Sequence, residues 1–553
     1  MYRVVKETAS FLTRDGVRLV ADIYRPQTEE KLPVLLMRQP YGKAIASTVV
    51  YAHPKWYAKQ GFIVVIQDVR GRGESEGEFT LFEREIEDGY DTLEWVANLS
   101  GSNGKVGMYG FSYQGMTQLY AAISRHPALK TICPAMIAYD LYSDWAYENG
   151  AFCYQLNLAW AIQLATETAR RKGDLSAYKI LYLASRSLPI YDMPPLLEEA
   201  LRKYTPGNFY YQWLSHPHPD EYWQRISPKT YSQYLDLPML HIGGWFDSYL
   251  RGTINLYQEM RAKSKHQQCL IIAPWPHIPW GNTVAGKYYT AAANSNIDSF
   301  QVAWFNKYLK DIETPEYLSL RDGKLFQLGS NKWLNIEDLP QGGKEIIFFL
   351  KTTKGLANIR DDDGFLVTDN NHSDGEDIIV QDFWRPVNSL GGHATIFPGS
   401  CDRSELDIRS DVAIYTSDCL TEDLEIIGEV ELEVYVETEA ETFDLSAVLS
   451  QVFPDGKVYN FSQGHIRVHF SNKNNRNNPI RFKLQPTCVR LEKNTAIRLS
   501  VSLTSFPAYC INFGEEENYG KSFYLNAKPL TVSILSGKNN PSKLILSPFK
   551  FCR

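Results

Sequence analysis

NGKVGMYGFSYQGMTQLYAAISRHP, residues 103–127, carries the reading of the fold. Its first half is a short apolar run, the pattern of a strand buried on both faces in a parallel sheet, and its second half reads as a helix. Between them stands Gly110-Phe111-Ser112-Tyr113-Gln114-Gly115. A serine on so abrupt a strand-to-helix turn is what a nucleophile elbow requires. Glycines permit the turn that lifts the hydroxyl clear of the backbone, and the helix points its first amides at a developing oxyanion. The second glycine stands at Ser+3, one later than in the usual G-x-S-x-G, with Gln114 at Ser+2. Taken alone, the motif fits equally well a Gly-Ser turn that only caps a helix.

Upstream, VRLVADIY (17–24) alternates as a half-buried strand, and Asp15-Gly16 before it is a turn signal. KLPVLLMRQP (31–40) and GFIVVIQDVRG (61–71) are apolar runs of the buried-strand kind, with a crossover helix through WYAKQ. EREIEDGYDTLEWVANLS (83–100) reads as an amphipathic helix, and TICPAMIAYD (131–140) as a further strand. Strands alternating with helices mean a doubly wound α/β sheet. From 141 to 232 the text is helical and aromatic, an insertion that caps the sheet. Strands resume at LPMLHIGGWFD (237–247) and CLIIAPWPH (269–277), and the helix SFQVAWFNKYLKDI closes the module. After about 315 short alternating strands recur without helical crossovers, for example EIIFFLKT, EVELEVYVETE, RVHF, AIRLSVSL and LTVSIL. That pattern is an antiparallel sandwich or jelly roll. The expected division is 1–140 with 233–314 as an α/β-hydrolase core, 141–232 as a helical cap, and 315–553 as the jelly roll. SNKNNRNNP (471–479) reads as a solvated loop.

Order and position sharpen the serine. In an α/β-hydrolase the acid and then the histidine follow the nucleophile, each at the C-terminal end of a later strand. Asp247 follows PMLHIGG and His277 follows CLIIAP, so both placements are met in the required order. Most other histidines are poorly placed: His126 follows a helix, and His372, His393, His465 and His469 lie in the β region. His241, inside the strand before Asp247, is expected in the core.

With 553 residues, several domains are expected, and 44% hydrophobic with 22% charged residues is ordinary globular composition. A net charge of −7 offers no basic footprint for nucleic acid. The N-terminus has no signal-peptide pattern, and no apolar run reaches the roughly 18 residues of a membrane span. The expectation is a soluble, cytoplasmic protein without membrane or nucleic-acid partners. Cys133, Cys153, Cys269, Cys401, Cys419, Cys488, Cys510 and Cys552 form no CxxC pair and read as reduced thiols. There is no HExxH, and His216 and His218 sit in the loop-like SHPHPD, so neither a metal nor a cofactor is expected.

The strings DGVRLVADIYRP, LMRQPYGK, GFIVVIQDVRGRGESEGEF, WVANLSGSNGKVGMYGFSYQG, GGWFDSYL, APWPH and, near the end, CDRSELDIRSDVAIYTSDCL resemble the cocaine esterase-like branch of the X-Pro dipeptidyl-peptidase superfamily, which includes α-amino acid ester hydrolases and acylases. The resemblance runs over nearly the whole chain. It implies a core, a cap and a jelly roll packed on both. It also implies Tyr41, in Pro40-Tyr41-Gly42, as an oxyanion donor beside the Tyr113 amide; read on its own, that segment is a turn. One departure is Ala273-Pro274-Trp275-Pro276-His277, whose second proline stiffens the loop without removing the base. Another is TSFPAYCINFGEEEN, which lacks the expected Asn-rich continuation.

The implied reaction is acyl transfer through an acyl-enzyme on Ser112, most simply hydrolysis of a small-molecule ester. The alternatives are an X-Pro dipeptidyl-peptidase or α-amino acid ester hydrolase, an acyltransferase with a non-water acceptor, and a non-catalytic binding protein. Asp140, Asp144 and Glu148, where the cap begins, are candidate partners for a substrate ammonium, and equally a solvated helix start. Tyr139, Trp145, Phe152 and Trp160 suit an acyl pocket or core packing equally. A homodimer or higher homo-oligomer is compatible with the sequence, which does not decide it.

Overall fold

The structure is a computed structural model and describes residues 2–45, 48–190, 201–205, 207–321, 323–470, 478–514, 527 and 529–549. Cys552, residues 471–477 of the expected polar loop and the end of TSFPAYCINFGEEEN lie outside them. The N-terminal part is an α/β domain and the C-terminal part is β-rich.

The chain opens as a hairpin of β1 (Val4–Leu12) and β2 (Arg18–Pro26), turning at Gly16 with φ +82. Next come β3 (Leu32–Gln39), α1 (Pro54–Lys59), β4 (Ile63–Asp68), α2 (Glu85–Ala97), β5 (Ser102–Phe111), α3 (Tyr113–Ile123) and β6 (Leu129–Ala135). The chain then leaves the sheet through the short pair β7 (Tyr147–Glu148) and β8 (Ala151–Phe152), α4 (Tyr154–Lys172), α5 (Leu175–Arg186) and the helices Phe209–Ser215 and Glu221–Ile226. It returns as β9 (Met239–Phe246), helix Leu250–Lys263 and β10 (Gln268–Pro276). A hairpin of β11 (Thr283–Val284) and β12 (Lys287–Tyr288), helix Ile297–Lys310, β13 (Gly323–Gln327) and β14 (Lys332–Ile336) complete the sheet. Its order is β1-β2-β4-β3-β5-β6-β9-β10-β13-β14. Pairing is parallel from β4 through β13 and antiparallel at both edges.

The central strands are apolar throughout because both faces are covered. Leu36, Val65 and Met108 face Leu93, Leu119 and Ile254 on one side. Leu35, Met37, Val64 and Ile66 face Tyr57, Trp304 and Phe305 on the other. Three features differ from the sequence reading. The edge strand β1 escapes it because Lys6, Glu7 and Thr8 are exposed and break the apolar alternation. The strand expected over 131–140 stops at Ala135, since Met136 at φ +48 turns the chain out of the sheet. The sheet also runs past the boundary expected at 315: β13 pairs with β10, and β14 closes that edge.

Beyond β14, among the described residues, eleven strands from Ile346–Thr352 to Lys543–Ser547 pair into one mostly antiparallel sheet system. Strand Ile480–Leu491 shows how its two environments read in sequence. Residues 480–484 alternate between buried and exposed, whereas 485–489 are continuously buried. The buried half lies against the α/β domain: Leu328 N–H donates to Cys488 O and Arg490 N–H to Leu328 O, both at 2.8 Å. No helix among the described residues is long and apolar enough to cross a membrane.

Candidate active site

Ser112 follows β5 directly and caps α3 at φ 58, ψ −128, a backbone conformation that non-glycine residues seldom adopt. Its amide donates to Ala135 O at 3.0 Å, and its carbonyl accepts from Gly115 and Met116 at 2.8 and 2.9 Å, so the strained turn is held from both ends. Each glycine has a steric reason. A Cβ at Gly110 (φ +142) would overlap Gln114, and one at Gly115 would overlap the Ile137 side chain and come within 2.9 Å of Ala135 O. The close approach of helix to sheet therefore falls at Ser+3, which explains why Ser+2 tolerates glutamine.

Asp247 and His277 stand immediately after the parallel neighbours β9 and β10. His277 Nδ1 lies 2.8 Å from Asp247 Oδ1, and Asp247, fully buried, also accepts the Tyr249 amide on Oδ2 at 3.1 Å. The imidazole packs between Phe111, the residue before Ser112, at 5.3 Å between ring centroids, and Tyr249 at 4.9 Å. With Nδ1 against the carboxylate, Nε2 is the ring nitrogen turned to other partners. His241 is buried with Nε2 on Gln268 at 2.9 Å, and burial pushes it down to about 4, so it stays a neutral core residue.

Tyr41 follows β3 on a turn fixed by two side chains: Gln39 Oε1 accepts the Tyr41 amide at 2.9 Å and Asp68 accepts the Lys43 amide at 2.6 Å. Burial pushes the Tyr41 phenol up to about 12, against opposing hydrogen bonds from Trp160 and Ser112. At neutral pH the hydroxyl beside Ser112 is thus protonated and able to donate. Trp160 Nε1 donates to it at 3.1 Å, which ties α4 to this corner. Tyr113 is the first residue of α3, so its amide has no acceptor within its own helix. Replacing Tyr41 by Phe should lower kcat on an ester on the order of 10²–10³-fold with KM little changed, as steady-state kinetics would read.

Tyr113 is anchored by groups that sequence reasoning missed. Its hydroxyl donates to Glu85 Oε1 at 2.7 Å, and Arg38 Nη1 pairs with Glu85 Oε2 at 2.7 Å, all three residues buried. Arg38 and Glu85 lie in segments read only as strand and helix, and a charge inside an apolar run was the one available signal. Glu85→Ala leaves the guanidinium buried and unpaired, so denaturant unfolding should show a loss of about 3–5 kcal/mol.

Of the seven residues singled out for substrate, the structure brings Trp145 and Trp160 to the site. Their rings lie 4.9 Å apart, and Trp145 is 4.4 Å from Tyr249, the ring that covers His277. Phe82, not singled out, joins them, 4.8 Å from Tyr113 and 5.7 Å from Trp145. Tyr139 is buried in the core, and Phe152 packs on Tyr147 and Tyr210. The carboxylates are engaged elsewhere. Asp144 accepts the Tyr139 and Asp140 amides at 3.0 and 2.8 Å, and Asp140 holds the Tyr142 amide and Lys229. Glu148 is buried against Arg251 at 2.8 Å, His393 at 2.9 Å and the Tyr509 hydroxyl at 2.6 Å. Burial raises its pKa, but the charges of Arg251 and His393 outweigh that and hold it well below the usual range.

Comparison with known proteins gives the family. Residues 15–279 match the family model of the X-Pro dipeptidyl-peptidase (S15 family), and residues 319–545 match that of the X-Pro dipeptidyl-peptidase C-terminal non-catalytic domain. The chain is 30% identical to the cocaine esterase of Rhodococcus sp. (strain MB1 Bresler) over 472 residues, covering 83% of this chain and 82% of that protein. Its fold is similar to that of an α-amino acid ester hydrolase (TM-score 0.81, 21% identity, 99% and 96% of the two chains). It is also similar in fold to a CocE/NonD family hydrolase from Staphylococcus aureus (TM-score 0.69, 17% identity, 98% and 93%). Two family models matched over residues 15–279 and 319–545 and a relative matched over four-fifths of its length place the chain in the X-Pro dipeptidyl-peptidase (S15) family, among its cocaine esterase-like serine hydrolases.

Proposed function

We propose that the protein hydrolyses a carboxylic ester of a small acid with an apolar acyl group, through an acyl-enzyme on Ser112. The observation that carries this is the Asp247–His277 hydrogen bond at 2.8 Å, with the His277 ring packed on Phe111 beside the strained serine turn. The Ser112 hydroxyl attacks the ester carbonyl while His277 Nε2 takes its proton. The tetrahedral oxyanion is met by the Tyr41 hydroxyl and the Tyr113 amide. His277 returns the proton to the departing alcohol, and water, activated by the same base, releases the acid.

The aromatic wall of Trp145, Trp160 and Tyr249 supports an apolar acyl group, and the carboxylates suited to a substrate ammonium are committed to backbone amides and to Arg251. In this reading the first sheet is an α/β-hydrolase core, the helices from α4 to Glu221–Ile226 form its cap, and the β-rich domain is a jelly roll. The buried thiols Cys133 and Cys488 fit a reducing, cytoplasmic setting. A matched panel of a benzoyl ester, an α-amino acid ester and an X-Pro p-nitroanilide tests the proposal. The benzoyl ester should have the highest kcat/KM; preference for the X-Pro anilide or the amino ester would overturn it.

A further inference from the structure

Among the places where the β-rich domain meets the α/β domain is the segment that carries Asp247. Gln485, on strand Ile480–Leu491 and buried, donates from Nε2 to the Asp247 main-chain oxygen at 2.9 Å. That oxygen also accepts the Leu250 amide at 3.3 Å, so Gln485 adds a side-chain tether to the turn that starts helix Leu250–Lys263. The next residue is held too: the Ser248 hydroxyl donates to His393 O at 2.7 Å. Four positions after Asp247, Arg251 pairs with Glu148, which binds His393 Nε2 and the Tyr509 hydroxyl and, through Oε1, the His465 amide at 3.3 Å. Two points on this segment are thus held directly by Gln485 and His393, and a third, Arg251, through Glu148, whose other partners lie between 393 and 509.

We propose that Gln485 is a positioning residue for the acid: with Ser248–His393 it lets the β-rich domain hold the Asp247 carboxylate in register with His277. This rests on the Ser112–His277–Asp247 reading above. The physical argument is one of reach. The carboxylate reaches His277 only if the turn keeps its place, because His277 follows a different strand, whereas the Tyr249 amide belongs to the turn and moves with it. A displacement of the order of 1 Å in such a constellation costs up to about 10²-fold in rate. Within the α/β domain the turn is tied by the Asp247 amide to Gly244 O at 3.0 Å and by its own helix, which leaves its outer side to the β-rich domain.

The test compares wild type, Gln485→Met, Ser248→Ala and Asp247→Asn with a p-nitrophenyl ester. Rates are expressed per active site, titrated with an organophosphate. Gln485→Met keeps the volume and removes the donor, and Ser248→Ala carries the test if the first variant does not fold. The expected result is a fall in kcat per site of about tenfold or more in each, with KM little changed. A variant that merely lost stability would lower the titrated fraction and the melting temperature while leaving kcat per site in place, and that result would overturn the proposal. If Asp247→Asn is itself active at the wild-type rate, the triad reading fails; if Asp247→Asn is inactive and the other two variants behave as wild type, only this inference fails.

Discussion

Replacing Ser112 by alanine should reduce kcat on a p-nitrophenyl ester by on the order of 10⁶-fold, down to what binding and the remaining oxyanion donors supply. The substitution removes one oxygen from a turn whose geometry is set elsewhere, by the Ala135 carbonyl, the Gly115 and Met116 amides and the close contacts at Gly110 and Gly115. Folding should therefore survive, with a melting temperature within a few degrees of wild type. Turnover within tenfold of wild type would remove Ser112 from the chemistry.

Asp247→Asn should cost on the order of 10⁴-fold in kcat with the fold intact. In wild type Oδ2 accepts the Tyr249 amide while Oδ1 faces His277 Nδ1. An asparagine keeps the first bond by placing its oxygen there, which turns its NH₂ toward Nδ1. That forces the imidazole proton onto Nε2, where a base needs a lone pair. The loss should appear in kcat and kcat/KM together, with KM nearly constant. A loss of less than tenfold would mean that His277 is oriented without its carboxylate.

Much of this arrangement is legible in the sequence because the physics that sets it is local. Continuous apolar runs mark β3, β4, β5, β9 and β10, since a strand covered on both faces has no polar side to show. The serine turn shows itself through Gly110 and Gly115, and the hydrogen-bonded pair Asp247 and His277 through their places after successive strands. Tyr41 is different. Its segment reads only as a turn, and its role comes through the resemblance to a family, because a phenol that crosses from the end of β3 to the serine leaves no periodic trace. The least legible groups are those whose partners are distant in sequence. Glu148 reads as a candidate substrate ligand at the mouth of an insertion, yet Arg251, His393 and Tyr509 enclose it. Gln485 belongs to a buried stretch of a β-strand, and its target is more than two hundred positions upstream. Edge strand β1 is lost for the opposite reason: with one side exposed, its polar residues erase the alternation.

The proposed roles divide the labour between the domains: the chemistry would lie on the strand ends of the first sheet, the aromatic wall on Trp145 and Trp160 ahead of and within α4, and the bracing of Asp247 on the β-rich domain. A small change in the second domain should then be felt as a rate effect at the first.

The most direct test of the central claim is intact-protein and peptide mass spectrometry after reaction with an aryl organophosphate, in parallel with loss of esterase activity. One phosphoryl adduct per chain, on the peptide containing Ser112, appearing in step with inactivation and absent from Ser112→Ala, is the predicted result. An adduct on another residue that tracks inactivation, or full inactivation with Ser112 unmodified, would contradict the account.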